Sequence, residues 1–366
     1  MARAHNFNAG PAVLPVSVLT ELAEAVLEYG GTGMGVMEMS HRSKPFQAIV
    51  NSAIERLRRV LGVPEDYSVL FLQGGASLQF HMAAMNLLGP GDAADYIVTG
   101  VWSKKAIAEA SRLGDASAAW DGKATNYDRL PLDGGYAIRE QASFVHYTTN
   151  NTIYGTQWPG LPFHAGKPLV ADMSSDIASR PVDVAAHGLI YAGAQKNLGP
   201  SGVTVVILSP WAVARNREVS AARGGLPPML DYSVFQKENS LYNTPNTWGI
   251  FALERVLNWI ETEGGPQAIA AANQRKADKL YAELDRTGFW RSHVAGAARS
   301  LMNIPWRAPS EELDARFVAE SEASGFRGLK GHRSVGGIRA SMYNALPEES
   351  VDALVGFMRD FEQRNG

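Results

Sequence analysis

The sequence contains no cysteine. That single absence removes a disulfide scaffold, cysteine-ligated zinc, iron–sulfur clusters and a thiol nucleophile. It does not fix a compartment, because a cysteine-free chain is redox-neutral anywhere. An excess of either charge is also missing: Lys plus Arg number 34 and Asp plus Glu 37, for a net charge of −3. A nucleic-acid partner, which usually asks for a basic balance, is therefore not expected. No run of about 18 apolar residues occurs, so no membrane span is expected. The stretch Met1–Pro15 lacks the basic and then apolar regions of a secretory signal, which leaves a cytoplasmic location as the expectation. Internal repeats and low-complexity tracts are lacking too. What remains is a chain of 366 residues, 45% hydrophobic and 19% charged. Such a chain is ordinary globular protein, long enough to bury a large core and to form about two domains.

Short apolar runs alternate with helical patterns. Apolar residues at Val18, Leu19, Leu22, Val26 and Tyr29 have helix spacing over Val16–Tyr29, and Phe46, Ile49, Ala53, Leu57 and Val60 repeat it over Phe46–Leu61. Compact β-type runs follow at Tyr67–Leu72, Tyr96–Thr99, Phe144–Tyr147, Pro168–Ala171, Leu189–Tyr191 and Val203–Leu208. Continuous apolar strands separated by helices predict an α/β sheet covered on both faces and mostly parallel. From residue 249 the pattern changes to two long helices, Gly249–Thr262 and Gln267–Thr287. A smaller α/β unit comes next: strand Leu301–Trp306, helix Ser310–Ser324, strand Ile338–Met342 and helix Glu348–Arg364. The expected division is a large domain over residues 16–260 and a small one over 261–366. The Gly/Pro-rich residues 1–15 form an arm that is assigned to the small domain.

The sharpest motif is Tyr191-Ala-Gly-Ala-Gln-Lys196-Asn-Leu-Gly-Pro-Ser-Gly202. A lone lysine ends an apolar strand among small residues that leave room for a flat ligand. Lysine forms Schiff bases, and partial burial frees its amine by lowering its pKa. Upstream, Pro168-Leu-Val-Ala-Asp172-Met-Ser-Ser closes another apolar strand with an acid. Read alone, Asp172 is a helix N-cap. Paired with Lys196, it supplies what pyridoxal phosphate (PLP) enzymes need: a lysine for the cofactor aldehyde and a carboxylate beside its pyridine nitrogen. A third run, Leu70-Phe-Leu-Gln-Gly74-Gly-Ala76-Ser77-Leu-Gln-Phe80, is a strand, a Gly-Gly turn and a helix start, which suits a phosphate. It is neither a Walker A nor a GxGxxG motif.

Trp102 follows a strand and could stack on a planar cofactor, although by itself it reads as core. Thr152, after the Phe144–Tyr147 strand, and Asn243-Thr244, in a loop, offer further hydroxyl and amide groups. Basic residues cluster at Met39-Ser-His41-Arg42-Ser and Lys330-Gly-His332-Arg333-Ser-Val-Gly-Gly-Ile-Arg339. Arginine grips carboxylates and phosphates with two parallel hydrogen bonds. Two His-Arg pairs and a further arginine therefore suggest a substrate with more than one anionic group.

Together with Asn6-Phe-Asn-Ala-Gly-Pro-Ala12 and Tyr242-Asn-Thr-Pro245, these stretches span nearly the whole chain. In this order they resemble the phosphoserine aminotransferases, PLP enzymes of fold type I in the class V aminotransferase group. The resemblance implies a large domain built on a mostly parallel seven-stranded sheet, plus a smaller C-terminal α/β domain. It implies that Lys196 holds PLP and shuttles a proton, while Asp172 pairs with the pyridine nitrogen. Trp102 would stack on the ring and Thr152 would contact its phenolic oxygen. Ala76, Ser77 and Gln195 would hold the phosphate, joined by Asn243 and Thr244 of a second subunit. His41 and Arg42, also from that subunit, would bind the substrate's distal phosphate or carboxylate with His332 and Arg333, and Arg339 would bind its α-carboxylate. The implied assembly is a homodimer with shared sites, and no metal is implied. The implied reaction moves an amino group between glutamate and 3-phosphohydroxypyruvate, giving 2-oxoglutarate and O-phosphoserine for serine biosynthesis. It extends to the related phosphohydroxythreonine step of pyridoxine biosynthesis. Some family members carry an arginine where this chain has Ser77. Within the fold the rivals are cysteine desulfurases, which the missing cysteine excludes, and alanine–glyoxylate or serine–pyruvate aminotransferases, which have no use for two His-Arg pairs.

Overall fold

A computed structural model describes residues 3–366. Its elements, in chain order, are β1 (His5–Asn6), α1 (Val16–Ala25), α2 (Lys44–Leu61), β2 (Ser68–Leu72), α3 (Gly75–Leu87), β3 (Ala93–Val98), α4 (Val101–Ala110), β4 (Asp115–Asp121), β5 (Ala142–Thr148), β6 (Leu169–Asp172), β7 (His187–Gly193), β8 (Thr204–Leu208), α5 (Pro210–Ala222), α6 (Tyr232–Lys237), α7 (Thr247–Thr262) and α8 (Gly265–Leu284). The chain then continues through β9 (Arg291–Ser292), β10 (Asn303–Arg307), α9 (Glu311–Ala323), β11 (Phe326–Arg327), β12 (Ile338–Ser341) and α10 (Glu348–Asn365).

The main sheet has seven strands in the order β2-β8-β7-β6-β5-β3-β4. Its pairs are parallel except that β8 runs against both its neighbours. Successive side chains of a strand face opposite ways. Val69 and Phe71 of β2 accordingly pack with α1, α2 and α7 in one apolar cluster, whereas Leu70 and Leu72 pack with α3, α4 and α5 in another. Both faces are thus covered, which is why the strands read as unbroken apolar runs.

A third apolar cluster joins α8, β10, β12 and α10 to Phe7 and Val13 of the N-terminal arm. The arm's β1 pairs in parallel with β11, and β12, β10 and β9 form an antiparallel sheet. Ile269, Val294 and Ala298 pack instead into the first cluster, on the α1, α2 and α7 side of the main sheet.

The first helix stops at Ala25, short of the Tyr29 that apolar spacing assigns to it. Tyr29 instead donates its backbone N–H to Met34 in a loop where Gly30, Gly31 and Gly33 take positive φ. Glycine strips a helix of conformational support, so the periodicity outlasts the helix. In α2 both signals agree: Ser43 caps its N-terminus and Gly62, at φ 66°, ends it. Strand β4 escapes a search for apolar runs, because Asp115-Ala-Ser-Ala-Ala-Trp-Asp121 lies at the sheet edge with no fully buried residue. Among the described residues no helix is long and apolar enough to cross a membrane.

Candidate active site

The carboxyl ends of the parallel strands converge on one cavity of about 700 Å³. Open α/β sheets offer such a crevice because every strand delivers a loop to the same edge. Ala76, Ser77, Trp102, Thr152, Asp172, Gln195, Lys196, His332 and Arg339 all line it. These residues stand far apart in sequence, and the sheet order brings them together: β7 leads to Lys196, β6 ends in Asp172, β5 leads to Thr152, β3 to Trp102 and β2 to the Gly74–Ser77 turn.

Lys196 Nζ donates to Thr152 Oγ1 at 2.7 Å. Burial holds its amine down at about 8; Arg339 pushes the same way, against an upward pull from Asp172 and Asp176. Asp172 is buried, and that burial raises its carboxyl pKa, opposed by hydrogen bonds from Ser174 and by the charge of Lys196. Its Oδ1 accepts both the backbone N–H of Ser174, at 3.0 Å, and the Ser174 hydroxyl, at 2.6 Å. Among the described residues no donor is assigned to Oδ2, so that oxygen remains available to a ligand in the cavity.

Helix α3 begins at the same edge with Gly74 as its N-cap and no side-chain cap. Gly74 and Gly75 sit at φ 84° and 64°, which only glycine adopts without strain. Backbone N–H groups of the first turn are thereby left free for an anion, with the helix dipole in support. Opposite, Arg339 is nearly buried in β12; it donates from Nη1 to the Thr152 carbonyl at 3.1 Å, while its Nε has no partner. The buried Trp102 Nε1 and Thr148 Oγ1 are likewise unpartnered. Unsatisfied buried donors at a cavity wall mark a place built for a polar ligand.

The other candidates lie elsewhere. Arg333 is exposed and lines a neighbouring cavity of about 360 Å³ with Arg307, Glu311 and Asp314. His41, Arg42, Asn243 and Thr244 do not line the main cavity. They gather as a second cluster, with His41 Nδ1 3.3 Å from Thr244 Oγ1, and His41 Nε2 and Asn243 Oδ1 are buried without partners.

Reasoning from motifs missed a buried polar network behind the cavity. Asn150 Nδ2 donates to Ser175 Oγ and to Asn303 Oδ1, both at 2.8 Å. Asn303 Nδ2 in turn donates to Ser341 Oγ at 2.9 Å and Tyr343 Oη at 3.2 Å. The network ties the loop after Asp172 to the strand that carries Arg339. Asn150 stood in view beside Thr152, but nothing local distinguishes Asn303 within its strand.

A Schiff-base-capable lysine facing a buried acid, beside an uncapped helix N-terminus on a doubly covered, mostly parallel sheet, defines a PLP-type aminotransferase site. The sequence pattern described as aminotransferase class-V matches residues 4–354; the chain belongs to that family and has the fold of its type I PLP enzymes. More particularly, it is 52% identical over 365 residues to the phosphoserine aminotransferase of Geobacillus kaustophilus (strain HTA426), covering 100% of this chain and 99% of the relative. The solved phosphoserine aminotransferase from Bacillus circulans subsp. alkalophilus superposes with a TM-score of 0.94 at 49% identity, covering 100% of this chain and 99% of that one. A PLP-bound phosphoserine aminotransferase from Trichomonas vaginalis gives 0.90 at 37% identity, over 98% of this chain and 100% of the other.

Proposed function

We propose that this protein is a phosphoserine aminotransferase acting in serine biosynthesis. It transfers an amino group from glutamate to 3-phosphohydroxypyruvate, in two half-reactions at one site. The observation that carries the reading is the meeting of Lys196, Asp172 and Arg339 in a single cavity beside the free N-terminus of α3. Pyridoxal 5′-phosphate fits the residues present: the α3 turn with Ala76, Ser77 and Gln195 would hold its phosphate, Trp102 its ring face, Thr152 its phenolic oxygen and Asp172 its ring nitrogen. When bound, it supplies an electron sink for the bond electrons of the substrate's Cα and a carrier for the amino group.

The chain's own groups do the rest. The ionised carboxylate of Asp172 keeps the ring nitrogen protonated and so keeps the sink effective. Arg339 grips the α-carboxylate and orients the substrate Cα toward Lys196. Lys196 Nζ takes the proton from that carbon and returns it across the cavity, a task suited to an amine with a pKa of about 8. His332 at the cavity wall, Arg333 next to it, and His41 and Arg42 of a second subunit bind the distal carboxylate of glutamate or the phosphate of the keto acid in turn. Asn243 and Thr244 of that subunit complete the phosphate cup. The unpartnered polar atoms of His41 and Asn243 support a shared-site homodimer, since both lie outside this chain's own cavity. The third apolar cluster supports a division into residues 16–260 and residues 1–15 with 261–366. Phosphohydroxythreonine is the further substrate of the same pocket, and a cytoplasmic setting goes with this metabolism. The alanine–glyoxylate reading is not favoured, because two His-Arg pairs serve no purpose for so small a substrate.

Visible absorbance tests the reading. Protein purified with the cofactor should be yellow, bleach on adding glutamate and recover its colour with 3-phosphohydroxypyruvate. A coloured protein that glutamate bleaches but only glyoxylate restores would overturn the substrate assignment.

A further inference from the structure

We propose that Lys105 is a specificity-determining residue: its ammonium, held against Trp102 beside the cavity, favours substrates whose distal group carries two negative charges over those that carry one. The inference rests on the aminotransferase reading above and adds a residue to it.

Lys105 lies on α4 three positions after Trp102, so both side chains rise from one face of the helix. Its Nζ is 4.8 Å from the centroid of the Trp102 ring, within reach of a cation–π contact that orients an otherwise free side chain. Trp102 lines the cavity, and so does His332. The His332 imidazole feels Arg339, Arg333 and Lys105 together, with no carboxylate acting on it. Glu109, one turn beyond Lys105 on the same helix, pairs with His81 and Arg112 instead. Lys105 is therefore an uncompensated cation among the described residues. Ser77 in the first turn of α3 brings no charge, and Glu311 and Asp314, which line a neighbouring cavity with Arg333, pair with Arg307. Lys105 is thus an unneutralised lysine held against Trp102, a residue of the cavity wall.

The consequence is a particular ratio. A phosphate monoester carries about two negative charges near neutral pH, and glutamate's side chain one. At equal distance the Coulomb energy doubles for the phosphate. Removing the Lys105 charge should therefore change affinity for the phosphorylated substrate by about the square of its effect on glutamate.

The test compares the holoenzymes of the wild type, K105Q, K105R and the control K104Q. KM is measured with glutamate and with O-phosphoserine as amino donors, and binding of each donor is followed independently by titrating the visible absorbance. K105Q should raise the constant about twofold for glutamate and about fourfold for O-phosphoserine, with kcat unchanged. K105R should stay near wild type on both, K104Q should move neither, and the difference should shrink at about 0.5 M salt. Equal shifts on both donors in K105Q, or none on either, would overturn the role of Lys105 while leaving the enzyme's function intact. A wild type inert toward O-phosphoserine would instead overturn the proposed function, and this assignment with it.

Discussion

At the residue scale, the chemistry turns on what burial does to ionisable groups. An ordinary lysine is almost wholly protonated at pH 7, whereas Lys196, held down at about 8 from 10.5, has roughly a tenth of its amine free there. On the proposed function, capture of PLP by the cofactor-free protein needs that free amine. Its rate should rise about tenfold per pH unit up to pH 7 and level off just above 8. Stopped-flow absorbance would detect the plateau; a rate still climbing at pH 10 would contradict the lowered pKa. Arg339 is the complementary case, a nearly buried cation whose Nε lacks a partner. Arg339→Ala should weaken glutamate binding by about 2 kcal/mol or more, roughly 30-fold in KM. An unchanged KM would remove it from its role. Lys196 and Asp172 were legible in the sequence because each follows an apolar strand where a charge needs a reason, and Arg339 because it stands in a basic cluster after a His-Arg pair. Asn303 was not legible, since its partners Asn150, Ser341 and Tyr343 are distant in sequence and only the folded chain assembles them.

At the scale of elements, the Gly74–Gly75 turn shows how a local sequence becomes a binding feature. The two positive-φ glycines swing the chain from β2 into α3 and leave its first-turn N–H groups uncapped. A Cβ at Gly74 would stand 2.6 Å from the Leu78 side chain. Gly74→Ala should cost about 1–2 kcal/mol of stability from its left-handed backbone alone, and it should also loosen retention of PLP. Dialysis followed by absorbance would measure that loss, and retention equal to wild type would separate the turn from the phosphate. The buried strands β2, β5, β6, β7 and β8 were readable from their apolar runs. Edge strand β4 was not, because its Ala, Ser and Asp residues, exposed or only half-buried, carry no signal of burial. The C-terminal helices were found to within a few residues from their apolar spacing alone.

At the scale of the whole molecule, the candidate residues fall into two groups, the cavity and the His41–Thr244 cluster, which the proposed homodimer would join. Shared sites in a two-fold dimer make a sharp prediction. Lys196→Ala and Arg42→Ala chains should each be nearly inactive alone. After unfolding and refolding together, about half the dimers would be mixed and each would hold one intact site, restoring about a quarter of wild-type activity. No recovery in dimers shown to have mixed would mean that Arg42 serves its own chain. The sequence by itself determined the class of chemistry, because a missing cysteine, a strand-end lysine, an acid one strand away and a cluster of arginines are statements about residue type. It also determined the doubly covered sheet, because burial on both faces writes itself as continuous apolar runs. Only the tertiary structure decided which residues share the cavity. That outcome depends on strand order, with β7 beside β6 and β6 beside β5, and strand order is set by long-range packing that no local window contains. The same packing left Arg333 facing a separate cavity and set Trp102, with Lys105 one turn along its helix, at the cavity wall.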